Sequence, residues 1–123
     1  MILSLETSAK VCSAAIHDHG NLVVTREIHI QQSHASKLAV LIDEVIKESK
    51  IGAGQLSAIA VSSGPGSYTG LRIGTSTAKG LCLALNIPLL ALGSLELLAF
   101  QMSTQNPAHA YLCPMIDARR MEV

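Results

Sequence analysis

Hydrophobic residues fall in short runs separated by turn-forming clusters, and the period of the pattern changes along the chain. Ile2 to Glu6 is a brief apolar run that reads as a buried strand, and Val11 to His17 reads as a second. A turn at Asp18-His19-Gly20-Asn21 leads into Leu22 to Ile30, which is rich in β-branched residues, so three antiparallel strands open the chain. Leu38, Leu41, Ile42, Val45 and Ile46 then recur at helical spacing over His34 to Ser49. Ser33 is the expected N-cap of that helix, and Gly52 and Gly54 its expected end. Leu56 to Ser63 is again a strand, with Ile59, Ala60 and Val61 as its buried centre. A glycine-rich stretch from Gly64 to Gly70 feeds a helix of small and apolar residues over Leu71 to Leu85, which Asn86 and Pro88 stop. Pro88 to Leu92 reads as another buried strand, and Ser94 as the cap of a helix running to about Met102. Tyr111 to Ile116 reads as a strand before a turn at Arg119-Arg120. The order is β-β-β-α-β-α-β-α and then β-turn-β, which predicts an α/β domain built on a mixed sheet with helices packed on it. The last residues open a strand that the sequence does not finish, as expected for a portion of a longer protein.

At 123 residues and 49% apolar types, the chain suits one domain with its own core. Nine Lys and Arg balance nine Asp and Glu, which excludes a basic nucleic-acid footprint spread over the whole molecule. Aromatic residues at 2% exclude stacking platforms for single-stranded nucleic acid. The apolar content excludes a disordered, highly charged tail. Cys12, Cys82 and Cys113 are distant from one another, odd in number and without a CxxC. Free thiols in a reducing, cytoplasmic setting are therefore expected. The opening MILSLETSAK has no basic segment and reaches Glu6 at once, so it does not read as a secretory signal. Leu81 to Phe100 is apolar over about the length of a membrane span, but Asn86, Pro88, Gly93, Ser94 and Glu96 break it. It reads as helix, turn, strand, turn and helix.

The strongest local signal is the run from Gly64 to Gly74, GPGSYTGLRIG, placed between a strand and a helix. Glycines there allow either a close strand-to-helix crossover or an anion held at a helix N-terminus. Neither GxxxxGK[ST] nor GxGxxG is present. Gly64, Gly66, Ser67, Thr69 and Gly70 are the candidate ligand contacts of this loop. Glu6, Thr7 and Ser8 at the end of the first strand join them as residues able to bind a phosphate–metal group or to brace a turn. The five histidines are scattered, with no HExxH or HxxxH, so no metal site is expected. A GxSxG elbow is absent as well. Gly70, Gly74 and Ala78 place a small residue at every fourth position of a helix, which suits close packing inside the domain or against a partner.

The motifs, taken together, resemble a known family. Ile2-Leu3-Ser4-Leu5-Glu6-Thr7-Ser8 is similar to its opening strand "ILaLDTS", and Cys12-Ser13-Ala14-Ala15-Ile16 to its second, "CSVAL". His34-Ala35-Ser36-Lys37-Leu38 resembles a short, variable "HSexLl". Gly64-Pro65-Gly66-Ser67-Tyr68-Thr69-Gly70-Leu71-Arg72-Ile73-Gly74 is close to "GPGSFTGLRIG", its most specific motif, and Ala78-Lys79-Gly80-Leu81 continues it. Ile116-Asp117-Ala118-Arg119-Arg120-Met121-Glu122-Val123 resembles "iDARRxEVY". These residues resemble the N-terminal portion of the bacterial tRNA threonylcarbamoyladenosine biosynthesis proteins called TsaB or YeaZ, glycoprotease-like paralogues of TsaD.

The resemblance implies an actin/hexokinase-like, ribonuclease H-like lobe with a mixed five-stranded sheet. Residues 1–109 would form the first of two duplicated lobes, and 110–123 the start of a truncated second. It implies a scaffold without catalytic residues or cofactor, which dimerises with TsaD, is joined by the ATPase TsaE and meets tRNA only indirectly. Alone, such a chain would form a homodimer. The modification made by the complex lies next to the tRNA anticodon, and no membrane is involved. TsaD carries an HxxxH metal pair after the strand that matches Pro88 to Leu92; here that place reads Leu92-Gly93-Ser94-Leu95-Glu96-Leu97-Leu98, so no ligand carries over. The first two helices are the family's partner face, which marks His34, Leu38, Leu41, Ile42, Val45, Leu71, Gly74 and Ala78 as expected interface residues. The alternative is an enzyme acting on its own, a nucleotide-dependent transferase or a peptidase, resting on Glu6-Thr7-Ser8 and the glycine loop.

Overall fold

The computed structural model describes residues 1–29, 34–105, 111–118 and 122–123. Alternating apolar residues make β1 (Ile2–Glu6), β2 (Cys12–Asp18) and β3 (Asn21–Ile28). A two-residue turn joins β2 to β3, with positive φ at His19 (47°) and Gly20 (83°), as the right-handed twist of the flanking strands favours. Then come α1 (His34–Ser49), a 3₁₀ turn (Ala53–Gln55), β4 (Ala58–Gly64), α2 (Tyr68–Leu85), β5 (Leu89–Gly93) and α3 (Ser94–Ser103). The strands form one sheet in the order β3-β2-β1-β4-β5. β1–β2 and β2–β3 are antiparallel, whereas β1–β4 and β4–β5 are parallel. This is the mixed five-stranded sheet that the sequence implied.

Because side chains alternate across a strand, one face of the sheet carries Leu3, Leu5, Ala14, Ile16, Ile59 and Val61. α1 covers that face over β2 and β3, and α2 covers it over β4. Leu38, Leu41, Ile42 and Val45 of α1, with Ala78 and Cys82 of α2, complete the core. Ser4, Glu6, Ser13, Ala15 and Ala60 project to the opposite face, where with Leu97 of α3 they line a shallow groove of about 290 Å³.

Five expectations change. α1 spans His34–Ser49 as expected, but Lys50 in the left-handed region (φ 59°), and not Gly52 or Gly54, follows its last turn. α2 begins at Tyr68, three residues before Leu71, because Ser67 caps it by accepting from the Gly70 N–H at 3.3 Å. Asn86, left-handed at φ 53°, ends α2 as expected. β5 is half exposed because it forms the sheet's edge. Gly93, not Ser94, is the N-cap of α3, and its N–H donates to Glu96 Oε2 at 3.3 Å. Tyr111–Ile116 forms no strand, since no described strand pairs with it to satisfy its backbone groups. Tyr111 is fully exposed, although the Ala118 N–H donates to Glu122 O at 3.0 Å across the expected turn. Ser33, Arg119 and Arg120 lie outside the described residues.

Candidate functional site

β1 and β4 run parallel with Ile2 opposite Ala58 and Leu5 opposite Val61. Continuing that register places Glu6 beside Ser62, at the ends of the two strands. The Ser62 hydroxyl donates to Glu6 Oε2, and the Ser8 N–H donates to Glu6 Oε1 at 2.6 Å. One carboxylate thus closes the turn after β1 and ties it to β4. Charge-assisted bonds of this kind are about twice as strong as neutral ones.

Thr7 points the other way and is fully buried. Its hydroxyl donates to the Gly70 carbonyl in the first turn of α2 at 2.8 Å. Ser8 completes the series: its carbonyl accepts from the Ser67 N–H at 2.7 Å. Three consecutive residues therefore fasten β1 to β4, to α2 and to the loop between them.

The glycines of the loop follow from this closeness. A Cβ on Gly66 would stand 2.6 Å from Ser8 O. One on Gly70 would collide with the Thr7 carbonyl, and one on Gly74 with Thr7 Oγ1. Gly64 has φ +110°, a backbone conformation that side chains other than glycine's rarely adopt. The peptide bond between Gly64 and Pro65 is cis. Gly70, Gly74, Ala78 and Cys82 form the buried stripe of α2 and rest on the sheet. The small residues are thus used up by helix-on-sheet packing.

Most of the expected interface residues serve the packing of the lobe itself. Leu38, Leu41, Ile42 and Val45 are core residues, and Gly74 and Ala78 lie on the buried face of α2. Leu71 is half-buried. His34 opens α1, but its side chain lies outside the described residues. The outward faces of the two helices carry other residues. On α2 these are Tyr68, Arg72, Ser76, Lys79 and Leu83, spaced three or four apart along one stripe. Leu83 is 85% exposed and Tyr68 74%. The Arg72 guanidinium lies 5.4 Å from the Tyr68 ring centre, within cation–π range. On α1, Val40 is exposed.

Of the expected ligand contacts, Gly66, Ser67 and Thr69 remain exposed at the loop and first turn, while Thr7 and Gly70 are buried and Glu6, Ser8 and Gly64 half-buried. Ser62 was not singled out in the sequence; the parallel register points to it once β1 and β4 are known to be neighbours. Cys12 is buried, and burial, followed by the charge of Glu6, pushes its thiol above the ordinary value. The Ser94 hydroxyl is buried without a partner among the described residues. No cluster of three His, Cys, Asp or Glu able to hold a metal occurs among the described residues. No described helix is long and apolar enough to cross a membrane.

Residues 24–123 match the protein family described as "TsaD: tRNA N6-adenosine threonylcarbamoyltransferase". The chain belongs to this family. Within it, the chain is similar to the tRNA threonylcarbamoyladenosine biosynthesis protein TsaB of Haemophilus influenzae, at 33% identity over 99% of the chain and 51% of that protein. The tRNA N6-adenosine threonylcarbamoyltransferase of Legionella pneumophila is 34% identical over 95% of the chain and 40% of its own length. Among solved structures, YeaZ from Pseudomonas aeruginosa superposes with a TM-score of 0.78 at 32% identity, covering 85% of the chain and 48% of YeaZ. The chain thus spans about half the length of the TsaB and YeaZ relatives that it matches. Its sheet and helices are those of an actin/ribonuclease H-like TsaB fold.

Proposed function

We propose that the chain is the first lobe of a TsaB-like scaffold, which acts by docking on TsaD in the complex that makes threonylcarbamoyladenosine next to the tRNA anticodon. It contributes structure and activation to that complex, and the chemistry belongs to TsaD. The observation that carries this reading is the inward engagement of Glu6, Thr7 and Ser8. The residues that could have served an enzyme hold Ser62, Gly70 and Ser67 of their own chain. Similarity to TsaB across nearly the whole chain supports the same reading. In this proposal residues 110–123 open a second lobe, and the partner meets the outward stripe of α2, Tyr68, Arg72, Lys79 and Leu83, together with the exposed Val40 of α1. Tyr and Arg are among the side chains that most often anchor protein interfaces. TsaE joins through TsaD, tRNA contact is indirect, and in the absence of TsaD the same face forms a homodimer.

Co-purification of the chain with TsaD of the same organism, followed by light scattering, tests the reading. A one-to-one complex that Leu83→Asp abolishes is the expected result. A folded chain that does not associate with TsaD overturns it.

A further inference from the structure

We propose that Thr7 is a positioning residue for the partner-binding face of α2. The inference rests on the reading of that face just given. It goes further by assigning the orientation of the face to one buried hydroxyl on the opposite side of the helix.

α2 meets β1 at very short range. The Thr7 hydroxyl donates to the Gly70 carbonyl at 2.8 Å, across 63 residues of sequence. A side chain at Gly70 would strike the Thr7 carbonyl, and one at Gly74 the Thr7 hydroxyl, so this turn of the helix is pressed onto Thr7 at two points. A Cβ at Gly74 would also stand 3.4 Å from Val61 Cγ2 of β4, in ordinary van der Waals contact, so the helix packs against β4 beside Thr7. Thr7 is itself fully buried and immediately follows the central strand, so it has little freedom to follow the helix if the helix moves. The hydrogen bond adds direction to this packing: the Gly70 carbonyl faces Thr7 only at one rotation of α2 about its axis.

That rotation decides what the molecule presents. At about 100° per residue, Tyr68, Arg72, Ser76, Lys79 and Leu83 lie on the side of the helix away from Gly70, Gly74 and Ala78. Turning or lifting α2 displaces all of them together. Leu83 lies nine residues beyond Gly74, about 13 Å along the axis, so a small tilt at Thr7 is enlarged at the far end of the stripe. The stripe combines two cations with a phenol and a leucine. It suits a partner surface of apolar side chains flanked by carboxylates, for which the relative positions of these groups matter.

The test compares wild type, Thr7→Val and Thr7→Ser as full chains for binding to TsaD by titration calorimetry, well below the melting temperature of each. Valine keeps the shape of threonine without its hydroxyl, and serine keeps the hydroxyl. The expected result is affinity weakened by about tenfold or more in Thr7→Val, on the scale of a lost interface anchor, with Thr7→Ser within about twofold of wild type. A merely structural Thr7 would lower the melting temperature without changing the affinity of the folded molecules. Gly74→Ala disturbs the same joint from the helix side and weakens binding even if Thr7→Val does not fold. Wild-type affinity in a folded Thr7→Val or Gly74→Ala chain overturns the proposal while the partner reading stands. Failure of wild type to bind TsaD overturns both.

Discussion

Two glycines of one helix offer a sharp test of how α2 is seated. Gly74 and Gly80 share α2 and differ in what surrounds them. A Cβ at Gly80 meets nothing within 4 Å, whereas one at Gly74 falls closer to Thr7 Oγ1 than the 3.0 Å that real Cβ atoms keep, with Val61 Cγ2 at 3.4 Å. Alanine is favoured over glycine in a helix by about 1 kcal/mol, and Gly80→Ala should gain most of that. Gly74→Ala gains the same amount but loses more. Overpacking costs about 1–3 kcal/mol. The hydroxyl that must move is the one bonded to Gly70, and a buried hydrogen bond is worth about 1 kcal/mol net. The balance for Gly74→Ala is a loss of about 1–3 kcal/mol, and the two variants should move in opposite directions. Urea denaturation at unchanged m-value measures both, and melting temperatures should follow at ~4–8 °C per kcal/mol for a domain near this size. Equal or greater stability of Gly74→Ala would refute the seating of α2 on Thr7. A destabilised Gly80→Ala would refute the contrast between the two sites.

Three other outcomes are expected. Glu6→Ala strands the buried Ser62 hydroxyl and the Ser8 N–H, at a cost of about 1–3 kcal/mol in denaturation experiments, while Glu6→Gln keeps an acceptor and costs less. Ellman's reagent should titrate Cys113 at once and reach Cys12 and Cys82 only on unfolding, since the first is exposed and the others buried. Because the folded-state pKa of Cys12 is raised, the unfolded chain loses that proton first as pH rises. Its contribution to stability is complete below the ordinary thiol value of about 9 and declines above it toward the raised pKa, a slope that Cys12→Ala should reduce when ΔG of unfolding is followed from about pH 8 to about pH 10.

Periodicity made the elements legible wherever one face of an element is buried. The bounds of α1 match the expected His34 to Ser49, where one face is buried and the other exposed, and those of β1 the expected Ile2 to Glu6, a short apolar run at the centre of the sheet. Pattern could not tell which body a small stripe touches. Gly70, Gly74 and Ala78 have the spacing of a helix–helix contact, but the sheet lies beneath them. The start of α2 was hidden for a related reason. Thr69 and Gly70 are weak helix formers, and they are helical here because the Ser67 cap and the Thr7 hydroxyl hold that turn. Apolar content alone also overstated β5, which lies at an edge, and Tyr111 to Ile116, which has no described strand beside it. The short-range half of the site was readable as Glu6-Thr7-Ser8. Its partner Ser62, 56 residues away, was out of reach, and Gly70 was legible as a loop residue but not as the acceptor for Thr7, 63 residues away.

That separation has a kinetic consequence. β1 faces two kinds of neighbour: β2 on one side follows it after a short turn, and β4 on the other returns only after α1. The β1–β2–β3 meander needs only short loops to close and can form early. Closing the span of 56 residues from Glu6 to Ser62 costs on the order of 3–4 kcal/mol of chain entropy before any contact across it contributes. The β4–α2–β5 half is therefore expected to join late, with the Glu6, Thr7 and Ser8 ties among the last native contacts to form. Contacts absent from the transition state act on the rate of unfolding, so these ties lengthen the lifetime of the folded lobe more than they hasten its formation. In amide exchange the lobe should open first along the seam between β1 and β4, with the meander still protected.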